Sequence, residues 1–205
     1  MSATRLLVLG VVREYGQAHG YQVRRELLSW GAEEWANVKP GSLYHALRQL
    51  AKVGMLRTVA VEESDEGPER TLYELTEDGE TEFRTLLRKA LSDPDVKPEF
   101  FGAGLTFLPC LQRWEAITSL RHRFAQLEGK RGELRVLLDE PNLPAKEGKP
   151  EHIWELFQWW VARTRVAAEF TAEMIERLKN GAYAMADDDG PSFGQAPPRD
   201  RIAES

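Results

Sequence analysis

The hydrophobic period of the chain changes near Gly54, and this change limits the folds that the sequence can adopt. Before Gly54, apolar residues recur at the spacing of one helical face: Leu43, Leu47 and Leu50. After it, residues 56–61 and 71–75 are typical of β-strands, and the polar segment between them carries Gly67-Pro68. A helix that leads directly into a hairpin predicts a small helical domain with a β-hairpin at its edge.

Two further helices are predicted before this point. Residues 3–16 are apolar over a helical length, and residues 19–30 place Tyr21, Val23, Leu27 and Leu28 on one face. Pro40-Gly41 then breaks the chain, so that Ser42 is expected to cap the third helix, from about Leu43 to Val53. Thr76 is expected to cap another helix over residues 77–91. Three helices followed by a hairpin predict a winged helix-turn-helix in a mainly α protein.

The charge of the chain is unevenly distributed. The net charge of −6 argues against a protein that coats nucleic acid without regard to sequence, because such a surface must be broadly basic. However, residues 36–61 contain no acid among the 33 in the chain. The same stretch holds four basic residues: Lys39, Arg48, Lys52 and Arg57. A local positive patch on an acidic protein is typical of a DNA-binding element.

The polar face of the third helix supplies the candidate DNA contacts. Arg48 and Gln49 are of the types that hydrogen-bond base edges in the major groove, and Tyr44 suits a sugar or a thymine methyl group. Lys39, Ser42 and Lys52 suit phosphates near the helix ends. The full predicted set is Lys39, Ser42, Tyr44, His45, Arg48, Gln49, Lys52, Arg57 and Arg70.

The second half of the chain predicts long helices. Residues 1–91 are assigned to the winged domain with its trailing helix, and residues 92–110, which contain several prolines, to a linker and a short segment. Residues 111–183 carry two long apolar seams, which suit an antiparallel hairpin, a coiled-coil dimer, or helices packed back on the first domain. Residues 184–205 are acidic and then rich in Pro, Gly and Ser, which predicts a disordered tail. The seam residues are Ile117, Leu120, Phe124, Leu127, Leu134 and Leu138 on the first helix, and Ile153, Phe157, Trp160, Ala167, Met174 and Leu178 on the second.

A cluster of tryptophans accompanies these seams: Trp114, Trp154, Trp159 and Trp160. They can fill the core of a dimer, or they can line a pocket for a flat apolar effector, since aromatic side chains commonly wall ligand sites. Trp159 and Trp160 lie about 100° apart on a helix, so they cannot both serve one seam. One of them is therefore a candidate for contact with a ligand.

No catalytic, metal-binding or cofactor-binding pattern emerges. The four histidines show no metal-ligand spacing, and no glycine-rich phosphate loop is present. Residues 190–194 match the hydrolase pattern G-x-S-x-G but lack the strand and helix that this nucleophile needs. The lone Cys110 fits a reducing compartment, and no apolar run reaches the length of a membrane helix. We expect a cytoplasmic protein that is not an enzyme and uses no cofactor.

The chain carries the motifs His19-Gly20-Tyr21, Gly41-Ser42-Leu43-Tyr44-His45-Ala46-Leu47, Leu50, Gly54, Leu56, Arg70, Tyr73, Leu75-Thr76, Gly79, Phe107-Leu108, Trp160-Val161-Ala162-Arg163 and Glu176-Arg177-Leu178. Over about residues 3–180 these motifs resemble those of the PadR family of bacterial transcriptional regulators. The resemblance implies a homodimer joined through the C-terminal helices, a palindromic operator, and repression relieved by a small molecule. It also implies that Ser42, Tyr44 and Arg48 lie in the major groove and that the wing approaches the minor groove.

The wing departs from the pattern of the family, whose wings usually carry basic residues near the tip. Residues 62–70 contain five acids and a single basic residue, Arg70. Phosphates repel such a tip, so either only Arg70 reaches the DNA or operator binding is weaker and more sensitive to salt. The acidic wing also favours an alternative function, a winged helix that binds another protein and no operator.

Overall fold

The computed structural model describes residues 2–62, 70–139, 150 and 152–189, which divide into two compact units. Unit 1 comprises residues up to 91, residues 95–113 and the chain from Tyr183 onward, and unit 2 comprises residues 92–94 and 114–182. The helices of unit 1 are α1 Ala3–Tyr15, α2 Gly20–Ser29, α3 Ala32–Trp35, α4 Pro40–Lys52, α5 Glu77–Ser92 and α6 Pro98–Thr106. The last residue of α5, Ser92, belongs to unit 2. Its strands are β1 Gln17–His19, β2 Leu56–Glu62 and β3 Arg70–Leu75. Unit 2 contains α7 Arg113–Asp139, which begins at the boundary, and α8 Ile153–Lys179.

Helix α1 is the centre of unit 1. It is apolar on every side, and all residues from Leu6 to Val12 are buried, as expected for a helix enclosed by others. Helices α2, α4 and α6 and the sheet all pack against it. The ends of α1 are also tied to α5, because Arg5 pairs with Glu82 at 2.8 Å and Arg13 pairs with Glu80 at 2.8 Å.

Glu80 of α5 accepts from two guanidinium groups. Arg13 and Arg84 each place Nε at 2.8 Å from one of its carboxylate oxygens. Burial alone would raise the pKa of Glu80, but these two partners outweigh burial and hold that pKa below its ordinary value. Glu80 therefore stays ionised and fixes α5 against α1.

The three strands form an antiparallel sheet in the order β1-β3-β2. The hairpin of β2 and β3 confirms the predicted wing, and an irregularity in register lies between Thr58 and Ala60. The sequence did not predict β1, which has only three residues and pairs with the far edge of β3. The four-residue α3 was also not predicted. The mainly helical winged fold followed by long helices is as expected.

The start of the third predicted helix needs correction. Helix α4 begins at Pro40, three residues before the predicted start, because proline at the first helical position loses no hydrogen bond there. Lys39 is the N-cap residue, and Ser42 lies inside the first turn, where its hydroxyl donates to the Lys39 carbonyl at 2.7 Å. Ser42 is therefore not the cap. At the other end Gly54, with φ of 77°, follows the helix as predicted.

Residues 92–110 are more structured than a linker and a short segment. They contain α6 and a 3-10 turn, Leu108–Cys110, both of which belong to unit 1. Phe107 between them is fully buried and makes edge-to-face contacts with Trp30, at 5.9 Å between ring centroids, and Phe83, at 5.5 Å. A Cβ atom on Gly10 of α1 would lie only 2.2 Å from the Phe107 ring, so glycine is required there. Phe107-Leu108 thus completes the core of unit 1.

The chain returns to unit 1 after α8 and forms a short clasp, residues 183–188. Met185 is fully buried, and the Ala186 amide donates to the Leu111 carbonyl at 3.2 Å. Arg113 donates to the clasp from its amide, to Asp187 at 2.8 Å, and from its guanidinium, to the carbonyl of Tyr183 and the carboxylate of Asp188. The predicted disordered tail is therefore ordered through residue 189, and residues 190–205 lie outside the described residues.

Unit 2 buries parts of both predicted seams. Leu120 and Leu127 of α7 are buried, as are Met174 and Leu178 of α8. In contrast, Ile153 and Phe157 are half-buried and Trp160 is exposed, so the seam of α8 is covered only toward its C-terminal end. The side chain of Leu138 lies outside the described residues.

Candidate nucleic-acid interface

Helix α4 has one buried face and one exposed face. Leu43, Leu47 and Leu50 are buried within unit 1, which orients the helix. The exposed residues of the opposite face are Ser42, Tyr44, His45, Arg48, Gln49 and Lys52, and Lys39 is exposed at its N-cap. Tyr44, Arg48 and Lys52 are four residues apart and share one line along the helix, with His45 and Gln49 beside them.

The basic residues of this face are available to a ligand. Among the residues that the structure describes, Lys39, Arg48 and Lys52 have no carboxylate partner and no hydrogen bond from the side chain. By contrast, other arginines of unit 1 such as Arg5 and Arg13 are paired with acids. A surface with three such cations attracts anions.

Tyr44 is positioned by close packing of α2 on α4. A Cβ atom on Gly20, at the start of α2, would lie 2.7 Å from the Tyr44 ring and 3.3 Å from Leu47. Gly20 thus allows the first turn of α2 to approach α4 closely. This contact gives a physical reason for the glycine in the motif His19-Gly20-Tyr21.

The joint between α4, the wing and α5 is also tightly packed. Thr76 donates its hydroxyl to the Gly54 carbonyl at 2.7 Å and accepts from the Gly79 amide at 3.0 Å, so it caps α5 as predicted. The Met55 carbonyl accepts from the Thr76 amide at 3.2 Å. These bonds hold the end of α4 against both strands of the wing.

Arg57 is placed differently from the basic residues of α4. Its guanidinium forms two hydrogen bonds with Glu74 on the neighbouring strand, from Nε to Oε2 at 3.2 Å and from Nη2 to Oε1 at 2.9 Å. The sequence did not predict this pairing, because Glu74 lies outside the acid-free stretch. Arg70 begins β3, and its side chain, like the wing tip, lies outside the residues whose side chains are described.

The predicted effector residues lie in unit 2, and α8 brings two of them together. Phe157 links Trp154, at 5.7 Å between ring centroids, to Trp160, at 5.5 Å. Trp159 lies about 100° from Trp160 around α8, and the guanidinium of Arg163 lies 5.5 Å from its ring centroid. Trp114 is exposed on the first turn of α7.

The described residues offer no sign of catalytic or metal chemistry. No group of His, Cys, Asp and Glu side chains among them is arranged to hold a metal ion. Burial raises the pKa of the Cys110 thiol to about 11, which keeps it protonated and unreactive. None of the described helices combines the length and apolar character needed to cross a membrane.

A comparison with known families identifies the N-terminal part of the chain. Residues 8–85 match the model of the transcriptional regulator PadR-like family. We call these residues the PadR-like domain, after the family whose model they match. The PadR-like domain contains α4, both strands of the wing and the Thr76–Gly79 joint, and the match confirms the resemblance that the motifs within residues 8–85 predict. No curated protein matches the sequence.

Several solved structures align with most of the chain at low identity. Bacillus subtilis PadR in complex with operator DNA is 19% identical, with a TM-score of 0.38, and the alignment covers 85% of this chain and 98% of that one. The same protein in complex with p-coumaric acid is 18% identical, with a TM-score of 0.35 and coverage of 86% and 99%. The PadR-like regulator BC1756 from Bacillus cereus is 17% identical, with a TM-score of 0.36 and coverage of 87% and 99%.

Proposed function

We propose that this protein is a dimeric, sequence-specific DNA-binding transcriptional regulator that inserts α4 into the major groove. The observation that carries the proposal is the exposed face of α4, on which Arg48 and Lys52 have no acidic partner among the described residues. The buried leucines on the other side of the helix hold this face outward. The match of the surrounding residues to the PadR-like family supports the same function.

Within this surface, Arg48 and Gln49 are proposed to contact base edges, with Tyr44 and His45 beside them. Lys39, Ser42 and Lys52 are proposed to bind phosphates on either side of the groove. The Ser42 hydroxyl donates to the Lys39 carbonyl in this structure, so it must rotate away from that carbonyl to donate to a phosphate oxygen, which only accepts hydrogen bonds.

Arg48→Ala tests base recognition. We expect the variant to lose about 1–3 kcal/mol of binding to the DNA upstream of its own gene and to relax sequence preference, because a bidentate arginine contact is lost. Electrophoretic mobility shift and fluorescence anisotropy measure both effects. Arg88→Ala is the matched control, since Arg88 is also an exposed arginine of unit 1 but lies on α5, and it should retain wild-type affinity.

The result that contradicts the proposal is a wild-type protein with no sequence-selective binding at low salt. Such a result would favour the alternative, in which the winged helix binds another protein. The acidic composition of residues 62–69 is the sequence feature behind that alternative.

Dimerisation is proposed to occur through α8. Five large apolar residues on this helix are 39–57% exposed in the single chain. At 100° per residue they fall within a stripe roughly 120° wide. The residues of this α8 stripe are Leu156, Trp159, Trp160, Val166 and Phe170. A second copy of the chain would cover the stripe and hold two α4 helices at the spacing of palindromic half-sites one helical turn apart.

We further propose that the protein acts as a repressor and that a flat apolar compound releases it from DNA. The aromatic side chains Trp154, Phe157 and Trp160 support this step, because they form a continuous apolar surface on α8. Titration of flat apolar compounds should change tryptophan emission and weaken operator binding over the same concentration range. A compound that changes emission but leaves operator affinity unaltered would argue against coupled release.

A further inference from the structure

A row of three polar side chains crosses the sheet of unit 1. Glu74 of β3 faces Gln17 of β1 on one side and Arg57 of β2 on the other, in register with both. Gln17 Nε2 donates to Glu74 Oε2 at 3.0 Å. Arg57 donates to both carboxylate oxygens of Glu74, at 3.2 Å and 2.9 Å.

The two charged side chains of this row differ in exposure and in how firmly they are held. The Glu74 side chain is 25% exposed and is held from both neighbouring strands, whereas the Arg57 side chain is 65% exposed. An exposed ion pair is worth only about 0–1 kcal/mol, so Arg57 is able to turn away. Glu74 remains on the sheet in either case, and the charge of the pair stays balanced.

This balance separates Arg57 from the other basic residues of the acid-free stretch. Lys39, Arg48 and Lys52 have no acidic partner among the described residues, whereas Glu74, which lies 17 residues from Arg57 in sequence, cancels its charge. Binding of DNA without regard to sequence depends on the number of phosphates that net cations neutralise. A balanced pair adds little to that number.

We propose that Glu74 limits the sequence-independent affinity of this protein for double-stranded DNA by cancelling the charge of Arg57. Net attraction to phosphates then comes from α4, whose side chains also contact the bases. Arg57 lies on the wing, where a net cation would bind phosphates at any site on the duplex. The inference rests on the proposed function and names a residue that controls its specificity.

The test measures the affinity for a non-operator duplex between about 50 and 200 mM salt, where the slope of log K against log salt reports phosphate contacts. Glu74→Gln should steepen this slope by about 0.9. The affinity of the variant relative to wild type should therefore rise about 3-fold as the salt concentration falls from about 200 to 50 mM. Glu74→Gln combined with Arg57→Ala should restore the wild-type slope, because the pair is removed as a neutral unit.

Glu82→Gln is the matched control. Glu82 is also a half-buried carboxylate hydrogen-bonded to an arginine, Arg5 at 2.8 Å, but it lies on α5 rather than on the sheet. Its substitution changes the net charge by the same amount and should leave the slope unaltered. If Glu82→Gln and Glu74→Gln steepen the slope equally, the effect is general and the inference is wrong.

A double variant with a slope flatter than wild type by about 0.9 would also overturn the inference, because Arg57 would then be a net phosphate contact. Thermal melts followed by circular dichroism check that each variant is folded. If Glu74→Gln alone fails to fold, the double variant decides, since the inference requires it to keep the wild-type slope. A wild-type protein that binds operator and non-operator DNA equally contradicts the proposed function instead, and so the two failures are distinguishable.

Discussion

Gly79 lies in the first turn of α5, at a position where no side chain fits. A Cβ atom there would lie 2.0 Å from the Met55 carbonyl oxygen, which is backbone and so has little freedom to move. The same carbonyl accepts a hydrogen bond from the Thr76 amide at 3.2 Å and shares the Thr76 hydroxyl, at 3.1 Å, with the Gly54 carbonyl. The motif from Leu75 to Gly79 is thus explained by the packing of one peptide group against the start of a helix.

Gly79→Ala is therefore expected to destabilise the PadR-like domain. Overpacking of a closely packed site costs about 1–3 kcal/mol, which urea denaturation would show as a lower free energy of unfolding. Gly129→Ala is the matched control, because Gly129 also lies in a helix and nothing lies within 4 Å of its Cβ position. That control should be as stable as wild type or slightly more so. A Gly79→Ala protein as stable as the control would contradict this explanation.

Glu74 shows which residue roles the sequence does not reveal. The basic face of α4 is predictable because its residues are local in sequence and follow one helical period. The partner of Arg57 is not predictable in this way, since the contact depends on the register of two strands. The need for glycine at position 20 is equally hidden from the sequence, because it comes from the close approach of Gly20 to Tyr44 on another helix.

At the scale of elements, the sequence predicts the helices and strands whose hydrophobic repeat runs over several residues and ends at a clear breaking residue. Helices α1, α2 and α5 and the two wing strands lie close to their expected ranges. Short elements such as β1 are missed, because three residues carry no period and pair only through a distant strand. Helix α6 is missed for another reason. Pro98 suggests a linker when it stands near other prolines, yet it occupies the first turn of a helix, where proline is well tolerated.

At the scale of the whole molecule, the proposed dimer depends on the α8 stripe. Val166 is the most exposed of its residues at 57%, and a charge placed there opposes burial against a second copy. Val166→Glu is therefore expected to convert a dimer into a monomer, as measured by light scattering coupled to size exclusion. Gln158→Glu is the matched control, because Gln158 is exposed on the same helix but lies roughly 140° from the centre of the stripe.

The control should keep the mass of the wild-type protein. A wild-type chain that is monomeric at micromolar concentration, or a Val166→Glu protein that remains dimeric, would argue against the α8 stripe as the interface. In either case operator binding by α4 could still be measured, so the two parts of the proposed function are separable.

The clasp formed by residues 183–188 has a consequence for how this protein can be divided. Unit 1 is assembled from three separate stretches of sequence, and α7 and α8 are inserted between the second and the third. No single cut therefore yields the complete unit 1, because a cut after Arg113 leaves behind Met185 and the partners of Arg113. The unit is contiguous in space but not in the gene.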